Sequence, residues 1–286
     1  MTIISPLAKR MLARHSLLLF LLAFVVPGCG MTAEEPFIPD ENEEPVQVDF
    51  TDLKQCEPGS YYQVWESPAG QRVELAIDVP KNYNADKAVP LVVVLHYGVV
   101  NFERFLGGIV IQQLIKPAMP DLNAIYVGPN LINETWLDPT CESTVMELVN
   151  KITEIYNVDP DRIMVVGYGI GAAGAWQYAN QHPEIFQGCV AISGKIPSDA
   201  ASLQTKAPMI VVHSKEDELF GFQDTLTATR NHTSAGATNV DLIAVPGISH
   251  YEIGDFIEPT HRALEKLNSL WQTPPKNAAQ PDSEEN

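Results

Sequence analysis

Positive charge is scarce in this sequence. Of 286 residues, 18 are Lys or Arg and 36 are Asp or Glu, for a formal net charge of -18. A surface that acidic repels phosphate backbones, so no nucleic-acid partner is expected. The body of the chain has no apolar run of transmembrane length. Cysteine is scarce as well: there are four, and no pair has zinc-ligand spacing. The histidines are scattered and no carboxylate set has calcium-loop spacing, so neither a metal nor a cofactor is expected. Hydrophobic residues make up 45% of the chain, enough for a substantial core, and the 19% that are charged are too few for a wholly disordered protein.

The two ends read differently from the middle. Lys9, Arg10 and Arg14 precede the run Leu17 to Val26, which is too short for a permanent anchor and has the form of a signal h-region. The segment Val26-Pro27-Gly28-Cys29 resembles a bacterial lipoprotein cleavage site. That resemblance implies lipidation of Cys29, with residues 1–28 removed and the protein held at a membrane of the cell envelope. An ordinary secretory signal with Cys29 incidental is the alternative; either way the protein is expected to be exported. Residues 29–48 are rich in proline and acid and read as an extended linker. Residues 273–286 carry Pro274, Pro275, Pro281, Asp282, Glu284 and Glu285 and read as a disordered acidic tail. Among the remaining cysteines, Cys56 and Cys141 lie in loop contexts and are free to pair in an oxidising compartment. Cys189, within an apolar run, reads as a buried thiol.

Between those ends, residues 49–272 alternate strand and helix patterns. Arg72 to Val79 alternates polar and apolar, whereas Pro90 to Leu95 and Arg162 to Val166 are continuous apolar runs of the kind buried on both faces. Further strands are expected over 123–127, 188–193, 208–213 and 240–245. Helices are expected over 142–156, 170–181, 222–231 and 255–270. Such alternation predicts an α/β fold, a mostly parallel sheet with helices on both faces, and places any site at the carboxyl ends of the strands.

At the end of one such strand stands Gly167-Tyr168-Gly169-Ile170-Gly171, followed by a helix. A nucleophile elbow has the pattern G-x-S-x-G; here every glycine is present and the serine is missing. The chain from Tyr61 to Leu270 resembles the α/β-hydrolase superfamily, in particular its group of exported carboxylesterases, polyhydroxyalkanoate depolymerases and predicted peptidases. The similar stretches are Val79 to Tyr83, Pro90 to His96, Tyr156 to Ile163, the elbow, and Gly247-Ile248-Ser249-His250.

The resemblance implies a nucleophile position at Gly169, an acid at Asp217 and a base at His250. It also implies oxyanion donors on the backbone of Ile170 and of Tyr97 or Gly98. Histidine and aspartate activate a nucleophile without replacing it, so no acyl-enzyme can form at Gly169. The expected function is therefore that of an esterase- or peptidase-like protein acting by binding a small ester, peptide or glycan. The alternative is a hydrolase that uses a displaced nucleophile or a water activated by His250. Ser193 and Tyr168 are the nearest hydroxyls, with Ser193 read as structural and Tyr168 as a poor nucleophile. Ser249 is expected to point away, and His96 to be a buried structural histidine. Trp136 and Asp138 line a cleft or pack in the core or at its rim. The run Lys215 to Glu218, taken alone, reads as a solvated charged turn.

Overall fold

A computed structural model describes residues 52–98 and 105–271. The expected signal segment, Cys29, the acidic linker and the acidic tail lie outside the described residues. Among the described residues no helix is long and apolar enough to cross a membrane.

Eight strands form one sheet in the order β1-β2-β4-β3-β5-β6-β7-β8. They are β1 (Gly59–Glu66), β2 (Arg72–Val79), β3 (Val89–Leu95), β4 (Ile125–Pro129), β5 (Val158–Tyr168), β6 (Cys189–Ile192), β7 (Met209–Ser214) and β8 (Val240–Val245). β1 and β2 pair antiparallel, as do β2 and β4, and every other neighbouring pair is parallel. The α/β sheet expected from the alternating pattern is therefore present.

The central strands are buried on both faces because helices cover both. Leu91, Val93 and Leu95 of β3 enter one core with α3 (Pro139–Ile155) and α4 (Ile170–Gln181). Val92 and Val94 enter a second core with the helical segment 106–118 and α6 (Ile257–Trp271). α5 (Phe222–Ser234) joins the first core through Ala228. Buried Cys141, Thr144, Val145, Leu148, Val149 and Ile152 make one stripe along α3, at the spacing of an amphipathic helix.

α3 begins three residues before the sequence pattern indicated. Asp138 caps it, accepting from Thr140 N (2.7 Å) and Cys141 N (3.4 Å), and Pro139 takes the first helical position. Asp138 is thus a helix cap. Trp136 is core: it is buried, and its Nε1 donates to the carbonyl of His96 at 2.9 Å. Cys56 and Cys141 are both free thiols, so the disulfide left open above does not form.

Two elements had no clear signal. β1 lies at the sheet edge and is only partly covered, so its alternation is weak. The segment 106–118 comprises α1 (Leu106–Val110), a π-helical turn (Ile111–Ile115) and α2 (Lys116–Ala118), and it opens with a Gly107-Gly108 pair that disfavours helix in isolation. Packing explains the glycine: a Cβ on Gly107 would come within 2.4 Å of the carbonyl oxygen of Gly128 on β4.

Candidate active site

The sheet order decides what meets at its carboxyl edge. β5, β6, β7 and β8 are consecutive neighbours, and the residues that follow them are Gly169, Ser193, Asp217 and His250. Residues up to 81 positions apart in the chain thereby converge.

Gly169 joins β5 to α4 with φ 61° and ψ -121°, a conformation that side-chain-bearing residues rarely adopt. The turn is tight. A Cβ on Gly171 would stand 2.1 Å from the carbonyl oxygen of Leu95, so strand and helix approach at a distance only glycine allows. An ideal Cβ built on Gly169 would lie 3.7 Å from Nε2 of His250. It would also lie 3.0 Å from Cβ of Tyr97, which leans over the elbow from the end of β3.

His250 is held by its other nitrogen. Nδ1 lies 3.0 Å from Oδ2 of Asp217, and the Asp217 side chain is wholly buried. The same carboxylate oxygen accepts from Ser193 Oγ, while Oδ1 accepts from Leu219 N (2.9 Å) and Phe220 N (2.7 Å). Burial pushes the Asp217 carboxyl up. Hydrogen bonds from Phe220 N–H, Ser193 and His250 outweigh it and hold the group below the ordinary aspartate value. Asp217 is therefore ionised at neutral pH, and in the neutral imidazole it fixes the proton on Nδ1, the tautomer whose acceptor nitrogen, Nε2, faces the elbow. Asp217 is not the solvated turn residue its charged neighbours suggested.

These neighbours matter too. Glu216 Oε2 accepts from Gly247 N at 2.6 Å, and Glu218 Oε2 accepts from His250 N at 2.7 Å. Ser214 Oγ donates to the carbonyl of Ile248 at 2.5 Å, and Tyr168 O–H donates to the carbonyl of His250. Three consecutive carboxylates thus stitch the acid loop to the histidine loop. His213 secures the acid loop from behind, with Nε2 2.8 Å from the carbonyl of Phe220. Burial lowers the pKa of His213 and keeps it neutral.

A family profile adds an independent line: the Dienelactone hydrolase family matches residues 132–259, the segment that carries the elbow, Asp217 and His250. The chain has the α/β-hydrolase fold. Among curated proteins, this α/β-hydrolase is 29% identical over 91 residues to NocK of Nocardia uniformis subsp. tsuyamanensis, which is named as an esterase. The match covers 31% of the chain and only 26% of NocK, so about a quarter of that protein's length is shared.

Solved structures of the same fold include a thermostable esterase (21% identity, TM-score 0.61), sharing 73% of this chain and 62% of that one. Est1E from Butyrivibrio proteoclasticus is 15% identical with a TM-score of 0.56, over 74% of this chain and 98% of its own. FphF, a fluorophosphonate-binding serine hydrolase of Staphylococcus aureus, is 15% identical with a TM-score of 0.61, over 73% and 98%.

The remaining candidates fall on or off the α/β-hydrolase site as follows. Ile170 is the first residue of α4, where backbone N–H groups have no intrahelical acceptor. Tyr97 and Gly98 follow β3, with Gly98 at φ 92°. His96 faces away from the elbow into the core. Its Nε2 accepts from Leu131 N (3.0 Å), its Nδ1 meets the carbonyl of Tyr97 (2.5 Å), and burial pushes its pKa down to about 4.

The nearby hydroxyls do not offer a nucleophile. Ser193 is completely buried and lies on the Nδ1 side of the imidazole, 3.5 Å from that nitrogen, whereas the elbow faces Nε2. Burial, reinforced by Asp217, pushes the Tyr168 phenol well above its usual value, and its O–H is engaged. Ser249 Oγ accepts from Tyr251 N. Cys189 is fully buried and burial raises its thiol pKa, which suits an inert core thiol.

Sequence reasoning missed the roles of Ser193, Glu216 and Glu218. The only signal for the two glutamates was their position on either side of Asp217.

Proposed function

We propose that this chain is an α/β-hydrolase of esterase type that works by binding a small ligand at the esterase cleft and does not form an acyl-enzyme. One observation carries the reading: the carbon that would bear a serine hydroxyl is absent from Gly169, opposite an Asp217–His250 pair whose geometry is otherwise that of a general base. The ligand belongs to the ester, peptide or glycan class. The protein is exported and tethered to the cell envelope through a lipid on Cys29, with residues 29–48 as spacer.

The test is hydrolysis of short-chain p-nitrophenyl esters by the purified protein, its Gly169→Ser variant and the Gly169→Ser/His250→Ala double variant. The reading expects a silent wild type, an active Gly169→Ser and a silent double variant. Wild-type hydrolysis that disappears in His250→Ala would overturn it.

That outcome would support a second reading, which rests on the intact contact between His250 and Asp217. A water in front of Gly169 would attack the ester carbonyl, give its proton to Nε2, and the leaving alkoxide would take that proton back. For the anchor, radiolabelled palmitate is expected to enter the wild type in bacterial cells and not the Cys29→Ala variant.

A further inference from the structure

The gap at the elbow has a defined chemistry. On one side is Cα of Gly169, with no side chain. On the other is Nε2 of His250, 3.7 Å from where a Cβ would stand. The imidazole is 7% exposed, and among the described residues nothing hydrogen-bonds Nε2. It is a buried polar ring whose Nε2 faces the bare Cα of Gly169. With Nδ1 bonded to Asp217, the neutral imidazole carries its proton there and presents a lone pair at Nε2. The group that satisfies it must donate a hydrogen bond.

Two features narrow the ligand further. Glu216, Asp217 and Glu218 all bond to the histidine loop, so negative charge is concentrated beside the gap in a chain that is itself at -18. A carboxylate or phosphate entering there meets like charge and an acceptor nitrogen. The rim supplies apolar surface. Leu219, 54% exposed, precedes Phe220, whose ring centroid lies 5.4 Å from that of His250, and Tyr251, 69% exposed, sets its own ring 5.8 Å from the imidazole.

We infer that the cleft recognises its ligand through a neutral alcohol group, whose own hydroxyl takes the place of the missing serine Oγ and donates to Nε2 of His250. Leu219 and Tyr251 meet its carbon skeleton. This rests on the reading that Gly169 leaves the elbow without a nucleophile, and it names the chemical class of ligand for that site.

A matched pair of fluorinated probes tests it. 4,4,4-Trifluorobutanol and 4,4,4-trifluorobutanoate are titrated into the full chain and followed by ¹⁹F NMR. The alcohol is expected to show saturable binding to wild type, and the carboxylate at least tenfold weaker binding. Alcohol binding is expected to weaken at least tenfold in His250→Phe, which removes the acceptor, and in Gly169→Ser, which fills the gap with a hydroxyl of its own. Should Gly169→Ser fail to fold, His250→Phe alone decides the point.

Equal or tighter binding of the carboxylate would overturn the inference, as would alcohol binding that survives His250→Phe. The ester assay separates this failure from failure of the broader reading. A wild type that hydrolyses esters refutes the binding-only function whatever the probes show. A silent wild type that ignores the alcohol refutes only the ligand class.

Discussion

A carbon added to Gly169 would stand 3.7 Å from Nε2 of His250 and 3.0 Å from Cβ of Tyr97. The first distance places a serine hydroxyl within reach of the base. The second requires Tyr97 to give way by a few tenths of an ångström. The residue missing from the elbow and the residue leaning over it are therefore coupled.

That coupling gives the first prediction. Gly169→Ala places a side chain at φ 61° and against Tyr97, and is expected to destabilise the protein by about 1–3 kcal/mol. Pairing it with Tyr97→Gly is expected to recover part of that loss, because the contact is removed while the backbone strain remains. Urea denaturation of the two variants and wild type measures both. Equal stability of Gly169→Ala and wild type would remove the strain argument.

The carboxylate stitching gives the second. Glu216→Gln and Glu218→Gln weaken the bonds to Gly247 N and His250 N, and those amides are expected to exchange with solvent deuterium about tenfold faster. The hydrogen bonds from His250 N–H and then from the Ser249 side chain hold the Glu218 pKa below its usual value. Its contribution is therefore present above the ordinary glutamate pKa and disappears as pH falls through the depressed one. The histidine loop should loosen in acid, and less steeply in Glu218→Gln.

His96 supplies a third. Its pKa falls from 6.5 to about 4 on folding, chiefly through burial. The unfolded chain takes up the proton first as pH drops, so the neutral histidine favours the fold above pH 6.5 and that advantage is lost between about 6.5 and 4. The loss amounts to about 3 kcal/mol. Denaturation at pH 7, 5.5 and 4 should show a shallower decline in His96→Gln than in wild type. Parallel declines would mean that another group sets the acid limit.

Ser193 supplies a fourth. Its buried hydroxyl donates to the same Asp217 oxygen that meets His250, from a backbone at φ 48°. Ser193→Ala removes a hydrogen bond to a buried charge and is expected to cost about 1–3 kcal/mol. Set in the Gly169→Ser background, it should lower kcat more than KM, because the change reaches the reacting atoms only through Asp217 and His250. A loss confined to KM would contradict a positioning role.

Much of the fold was legible because burial on both faces of a parallel sheet imposes a continuous apolar run. Val89–Leu95 and Val158–Tyr168 contain the runs expected over 90–95 and 162–166, and Val240–Val245 coincides with its expected strand. Helix ends were less legible, since they depend on caps such as Asp138 and not on periodicity. The segment 106–118 was illegible because Gly107 and Gly108 disfavour helix locally, and contact with Gly128 overrides that preference.

For the site, the chain alone determined the residue types and their order: glycines around position 169, an aspartate in the loop after β7, a histidine after β8. Those are matters of local pattern, and a missing serine is visible as such. Only the tertiary structure decided that β5, β6, β7 and β8 lie side by side, and so which atoms meet. It brought Ser193 beneath Asp217 and turned Glu216, Asp217 and Glu218 from an apparent solvated turn into partners of the histidine loop. It also made Asp138 a helix cap and Trp136 a core residue. The reason is physical. A hydrogen bond between residues 33 apart, such as His250 to Asp217, is specified by strand order and loop course, and no local sequence pattern encodes either.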